Sequence, residues 1–184
     1  IISIDTFRSK VAETCLNSGA SIINDVSAGE MDKKMMKIVG KYNVPYVMMH
    51  MKGNPQNMIK KTNYDDMLKE IIKYFSKKIN QAVSYKINDM IIDPGFGFAK
   101  DLKQNYNLLS NMDLLKILEK PIMVGISRKS MIYQSLKTNA KESLNGTTVL
   151  NTVSLIKGAS ILRVHDVKEA NECIKLINAL NKQG

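Results

Sequence analysis

The stretch "IIDPGFGFAK", residues 91–100, runs from an apolar strand directly into an acid, a proline and two glycines. Met90, Ile91 and Ile92 read as a fully buried strand, with Asp93 standing at its end. Pro94 and Gly95 stop that strand, and Gly97 turns the backbone again between Phe96 and Phe98. Taken alone, an Asp-Pro-Gly segment is most often a capped turn. The fold is decided by the recurrence of the same event along the chain.

Short apolar runs at 1–4, 21–23, 44–49, 89–92, 121–125 and 160–164 alternate with helical patterns near 6–18, 31–41, 63–84, 104–118, 141–157 and 167–181. In the first helix Thr6 is placed to cap, Val11, Ala12, Cys15 and Leu16 form the stripe, and Gly19 is the stop. The third helix carries Met67, Leu68, Ile71, Ile72, Phe75 and Ile79 on one face. Such alternation predicts an α/β fold with a parallel sheet wrapped by helices.

The strand ends share a polarity. The first ends in Asp5, the second in Asn24 and Asp25, the third in His50 and the fourth in Asp93. The fifth runs into Ser127, Arg128 and Lys129, and the sixth carries Arg163, His165 and Asp166. One polar residue at a strand end is usually a cap. Six in succession point to a site on the C-terminal face of a barrel or an open α/β sheet. No GxGxxG fingerprint follows a strand, which argues against a dinucleotide fold. Six units average about 30 residues each and an eight-unit barrel takes roughly 250. The expected architecture is therefore a (β/α)8 TIM barrel with about six of its eight strand–helix units present, forming a single domain over 1–184. Because "IISIDT" begins inside a strand, two further units are expected ahead of it.

Composition narrows the function. The chain has 184 residues, 44% of them hydrophobic, which is enough for one sizeable core. No apolar run is long enough to span a bilayer and no signal peptide is visible, so a cytoplasmic protein away from membranes is expected. Cys15 and Cys173 fall in predicted helices and read as packing residues of a reduced protein, not as a disulfide or metal site. The formal net charge is +10, but the lysines are scattered, without a basic stripe or interleaved aromatics. That pattern is a solvated surface, not a nucleic-acid interface, and it suits an anionic small substrate.

Read together, "SIDTFRSKVA", "GASIINDVSAG", "VPYVMMHMKGNPQNM", "IIDPGFGFAKDLKQNYNLL", "VGISRKSMI" and "GASILRVHDVKEA" resemble the dihydropteroate synthase family of pterin-binding enzymes. The motifs run in order through essentially the whole chain; "DPGFGF", "SRKS" and "RVHDV" are the specific ones. The resemblance implies a transferase of folate biosynthesis, and a target of sulfonamides. The reaction it implies condenses 6-hydroxymethyl-7,8-dihydropterin pyrophosphate with p-aminobenzoate, giving 7,8-dihydropteroate and pyrophosphate. It also implies magnesium as cofactor and a homodimer at full length. The metal-binding asparagine and two mobile loops lie in two earlier units, so no metal ligand is expected in this chain, and the piece alone is expected to be inactive. Ala99 departs from the glycine usual in bacterial members.

Each residue can be weighed against that chemistry. A pterin presents a ring N–H beside an exocyclic amine, and one carboxylate can accept from both, which is the role expected of Asp93. Asn24 can donate and accept along the same edge, and Lys129 can donate to the ring carbonyl and a ring nitrogen. Asp5 is expected across the ring, steadying positive charge as pyrophosphate leaves. Asp5 and Lys129 are thus the catalytic pair, and Val26 and Met49 form the apolar walls, with plain core packing the competing role of Met49. Arg163 and His165 alternate on the last strand, with Val164 turned away, and suit pyrophosphate. The competing role of Arg163 is a rim pair with Asp25 or Asp166. Phe98, Ser127 and Lys129 are the p-aminobenzoate candidates. Arg128 either guides the anion or lies on the surface, and His50 reads as a satisfied rim histidine. An arylamine needs no obligatory base, so loss of pyrophosphate ahead of attack is the expected mechanism. Two rivals remain: a pterin-binding methyltransferase domain on the same barrel, which needs neither the phosphate pair nor the "SRK" lysine, and a non-catalytic pterin-binding homologue.

Overall fold

A computed structural model describes residues 1–53 and 62–182. Within them six parallel strands stand side by side in chain order. They are β1 Ser3–Asp5, β2 Ile22–Asp25, β3 Tyr46–Met49, β4 Met90–Asp93, β5 Met123–Val124 and β6 Ile161–Leu162. The first four form one sheet and the last two a second ladder, and a parallel bridge between Ile92 and Ile122 joins them. In register, Asp5 lies beside Asn24 and Met49 beside Asp93, so the polar residues gather at one end of the sheet.

All six predicted strands are present, but the last is shorter than expected. After Arg163 N–H donates to the Val124 carbonyl (2.8 Å) the chain leaves the ladder, and Arg163, Val164 and His165 lie beyond β6. Their directions are therefore not set by strand alternation.

The helices are α1 Ser9–Asn17, α2 Met35–Tyr42, α3 Met67–Ser84, α4 Leu102–Ser110, α5 Ser130–Leu136, α6 Leu144–Ile156 and α7 Val167–Asn181. The expected 104–118 helix is two elements, α4 and a 3-10 helix over Met112–Leu118. α4 starts early because Asp101 and Gln104 form a capping box. α5 is an addition; at seven residues it is too short to leave a periodic signal, yet Met131 and Ile132 enter the core. Thr6 does not cap α1. Its hydroxyl accepts from Arg8 N–H, and Asp32, 23 residues away, accepts from Ser9 N–H at 2.8 Å. Gly19 does end α1, at φ +98°, with Gly19 N–H on the Leu16 carbonyl and Ala20 N–H on that of Cys15.

The core lies between the sheet and the helices, where Ile23, Met48, Ile92 and Val124 meet Ile71 and Phe75 of α3. Cys173 is buried and Cys15 partly so, both as free thiols. Asp25 proves to be a structural acid. One carboxylate oxygen accepts from Ser27 N–H and Oγ, and the other from Gly29 N–H and the Tyr46 hydroxyl. Burial and the Asp25 charge push the Tyr46 hydroxyl well above its ordinary pKa.

One close approach carries a prediction. A Cβ on Gly40, in α2, would stand 2.0 Å from the Tyr85 carbonyl oxygen just after α3. Backbone cannot yield as a side-chain tip does, so Gly40→Ala is expected to destabilise by about 1–3 kcal/mol. Chemical denaturation reads this as a lowered midpoint at unchanged slope; an unchanged midpoint would show that the two segments part at no cost.

Candidate functional site

Asp93 is 4% exposed at the tip of β4. Its Oδ1 accepts from Gly95 N–H (2.8 Å), an interaction made possible by the left-handed Gly95 (φ +72°). Burial raises its pKa although the charges of Lys129, Arg163 and Lys100 act to lower it. The same burial holds Lys129 down to about 8 and Lys100 down to about 7. Three cations, Lys129, Arg163 and Lys100, thus gather around Asp93 and offer donors to an anion, with Asp5 a second acid at the same end of the sheet.

Around it the strand ends supply the remaining groups. Asn24, 6% exposed, donates to Asp5 Oδ2 at 3.3 Å, while its own Oδ1 is buried and has no partner among the described residues. Arg163 Nη1 reaches the same Asp5 oxygen at 3.3 Å, joining the ends of β1 and β6 across 158 residues. The Arg163 side chain lies against Gly125, where a Cβ would meet Nε at 3.4 Å, an ordinary packing distance. Lys129 donates to the Phe96 carbonyl and lies over the Phe98 ring, 4.7 Å from its centroid. Met49 is buried and Val26 partly buried beside these groups in sequence.

Two cavities open at this end, one of them lined by Lys129. One of about 210 Å³ is lined by Gly125, Ser127, Lys129, Arg163, Val164 and His165. Val164 borders this cavity as well, half-buried between the exposed Arg163 and His165. The second, of about 470 Å³, is bordered by Gly97, Ala99, Lys100, Asn105, Ser130 and Met131 among others. Ala99 holds φ +50° here, with its carbonyl accepting from the Tyr64 hydroxyl.

Several pairings differ from expectation. Arg163 pairs with Asp5, not with Asp25 or Asp166. Asp166 forms a two-pronged pair with Arg128 (2.9 Å each), whose Nη1 also donates to the Ala140 and Lys141 carbonyls. Arg128 therefore latches the β5 end to α7, with its guanidinium engaged by these partners. The Ser127 hydroxyl is engaged by His165, through Nδ1 at 3.0 Å and through its backbone N–H at 3.2 Å. With either tautomer of the imidazole, that hydroxyl fixes the orientation of His165.

Sequence position does not single out Lys100, although it closes the very stretch that decides the fold. It is 7% exposed and contacts His50, which is 5% exposed. Its only signal is a lysine following "GFGFA", with no periodicity to suggest burial. Residues 54–58 of the "VPYVMMHMKGNPQNM" motif lie outside the described residues. Among the described residues, no three His, Cys, Asp or Glu side chains are grouped to hold a metal, and no helix is long and apolar enough to cross a membrane.

Comparison with known proteins agrees with this geometry. The family model for pterin binding enzymes matches residues 1–165. The dihydropteroate synthase of Synechocystis sp. is 38% identical over 182 residues, covering 97% of this chain and 63% of that protein. A crystal structure of the Yersinia pestis dihydropteroate synthase with a sulfonamide drug complex superposes with a TM-score of 0.95 at 35% identity, covering 99% of this chain and 67% of that one. The Thermus thermophilus enzyme, solved with 6HMPPP and separately with 4-aminobenzoate, gives TM-scores of 0.93 and 0.92 at 32% and 33% identity. These cover 97% of this chain and 72% and 70% of those. The chain spans just under two thirds of the length of the curated relative.

Proposed function

The chain belongs to the pterin-binding enzyme family, and from that premise we propose that it carries the pterin and diphosphate subsites of a dihydropteroate synthase. The reaction is the condensation of 6-hydroxymethyl-7,8-dihydropterin pyrophosphate with p-aminobenzoate, releasing pyrophosphate. The observation that carries this reading is the buried edge at the β2 and β4 ends. There a carboxylate (Asp93) and an amide oxygen without a partner among the described residues (Asn24) stand where a flat heterocycle can satisfy both. A buried acceptor left without a donor costs about 1–3 kcal/mol, so such an edge is matched to a ligand with paired N–H donors.

Asp93 accepts from the ring N–H and the exocyclic amine, Asn24 from the next donor, and Lys129 donates to the ring carbonyl. Met49 and Val26 wall the ring. Arg163 and His165 hold the diphosphate, with Ser127 orienting the imidazole. As the carbon–oxygen bond to pyrophosphate breaks, Asp5 steadies the developing cation and Arg163 the departing oxygens. The arylamine then attacks; its ring packs on Phe98 and its carboxylate meets Lys129. Ser127, which lines the same cavity as Lys129, adds its hydroxyl to that subsite while orienting His165.

We further propose that the six strands are part of an eight-stranded barrel. The single-file strand order and the Asp5–Arg163 link between first and last strands support this. Magnesium is proposed to come with the diphosphate, whose oxygens suit a hard cation. A homodimer is the proposed assembly; Leu176 and Leu180, one turn apart on α7, are 68% and 70% exposed.

Arg163 supplies the test. Arg163→Ala is expected to weaken inorganic pyrophosphate and the pyrophosphorylated pterin by about ten- to a hundredfold, and the pterin alcohol by less than threefold. Calorimetric titration of all three ligands decides it. Equal losses for alcohol and diphosphate would mean that Arg163 only ties β6 to Asp5.

A further inference from the structure

The loop between Asp93 and Phe98 has little reason to hold its shape by itself. Gly95, Gly97 and Ala99 all take left-handed backbone angles (φ +72°, +79° and +50°), and one backbone hydrogen bond, Phe98 N–H to the Gly95 carbonyl, closes it. Side chains do the rest. Lys100 Nζ donates to the Gly95 carbonyl (3.0 Å) and to the Phe98 carbonyl (3.0 Å), and meets His50 Nδ1 at 3.1 Å. Those three acceptors match the three hydrogens of an ammonium. The contact with His50 needs an unprotonated Nδ1, hence a neutral ring with its hydrogen on Nε2. Burial ensures this by pulling the His50 pKa down to about 2, assisted by the Lys100 and Lys52 charges.

His50 is itself stapled to the loop. Its backbone N–H donates to the Asp93 carbonyl (2.9 Å), and Gly95 packs so closely on its carbonyl that a Cβ would stand 2.1 Å away. The imidazole rests edge-on against Tyr74, 5.0 Å between centroids. Asn105 completes the hold by accepting from Gly97 N–H (2.7 Å) and donating to the Lys100 carbonyl (3.1 Å). A buried cation is costly, and an apolar side chain would pack the same space more cheaply. Here the charge serves two carbonyls of one loop, the loop whose ends are Asp93 and Phe98.

We propose that Lys100, seated on the neutral His50, is a positioning residue that holds the 93–98 loop so that Asp93 meets the pterin and Phe98 the arylamine. This rests on the function proposed above. It places neither Lys100 nor His50 on a substrate; both act through the loop.

Binding of the pterin alcohol and of inorganic pyrophosphate, measured on the full-length protein, tests it. Lys100→Met is expected to weaken the alcohol by about tenfold or more and pyrophosphate by less than threefold. His50→Leu, which strands one ammonium hydrogen, should repeat the selective loss to a smaller degree. His50→Gln returns an acceptor and should restore affinity to within about twofold. Unchanged alcohol affinity in folded Lys100→Met, or equal losses for both probes, overturns the clamp. Should Lys100→Met not fold, the His50 variants decide, and a His50→Leu protein that loses stability but not alcohol affinity overturns it equally. A parent protein that binds no pterin overturns the proposed function itself; one that binds it as tightly as its Lys100→Met variant removes the clamp alone.

Discussion

Asp93→Asn is expected to weaken pterin binding by two to three orders of magnitude while leaving the fold in place. Two charge-assisted hydrogen bonds are lost, each about 1.5–3 kcal/mol, and the asparagine amide turns a donor or a weaker acceptor toward the ring's own donors. Isosteric replacement keeps the β4 end packed, and the carbonyl of the new amide can still accept from Gly95 N–H as Oδ1 does now. Part of the loss is indirect. The Asp93 charge supports protonation of both Lys100 and Lys129, whose pKa values burial already holds near 7 and 8. Without it both fall further, and Lys129 loses donor strength toward the ring carbonyl at neutral pH. Titrating the ligand at pH 6 and pH 8 separates the two effects. A deficit present at pH 6, with Lys129 charged, belongs chiefly to the Asp93 contact, and the extra deficit at pH 8 belongs to Lys129. Parent-like affinity at both values would remove Asp93 from the site.

What the sequence made legible, and what it did not, follows from how far apart the interacting residues lie. The six strands and the polar residues at their ends are local features: an apolar run, then a chain-breaking or charged residue. Each is readable within ten residues, and each strand is found where expected. The pairings among those end groups are not readable. Arg163 finds Asp5 across 158 residues, Lys100 finds His50 across 50, and Arg128 finds Asp166 across 38. Such distances are set by the curvature of the whole sheet, and Asp5, Asp25 and Asp166 all stand at strand ends as candidate partners for Arg163. α1 shows the same limit on a smaller scale. Thr6 satisfies the local capping rule, but Asp32 from the next loop supplies the better acceptor.

The buried groups of the site also set an unusual pH profile for stability. His50 keeps a folded pKa of about 2 against an ordinary 6.5, so from pH 6.5 downward the unfolded chain takes up a proton that the folded chain refuses. Its contribution is intact above pH 6.5 and is lost as the pH falls, by about 2.7 kcal/mol at pH 4.5, two pH units into that window. Glu30, lowered to about 2 by Lys33 and Lys78, adds a smaller acid loss below 4.5 because it is half exposed. Asp93, with its raised pKa, opposes them. On the alkaline side Lys100 acts in the same sense as His50. Between about 7 and 10.5 the unfolded chain binds the proton more tightly, so stability rises with pH, and Lys129 adds to this from about 8. Above pH 10 the gain reverses. Tyr64 and Tyr46 have raised pKa values, so the unfolded chain ionises first and stability falls. The expected maximum is therefore near pH 9–10, above the neutral range usual for proteins. A net charge of +10 would by itself favour the alkaline side through reduced repulsion. Denaturation midpoints at pH 4.5, 7 and 9 should accordingly be taken in about 0.5 M salt, which screens surface charge but not buried groups. His50→Gln, which cannot take up that proton, should flatten the acid limb by about 2 kcal/mol and leave the alkaline limb alone. A maximum at pH 7 that persists in high salt would mean that Lys100 is not held neutral-prone by burial, and that water reaches the loop it is placed to hold.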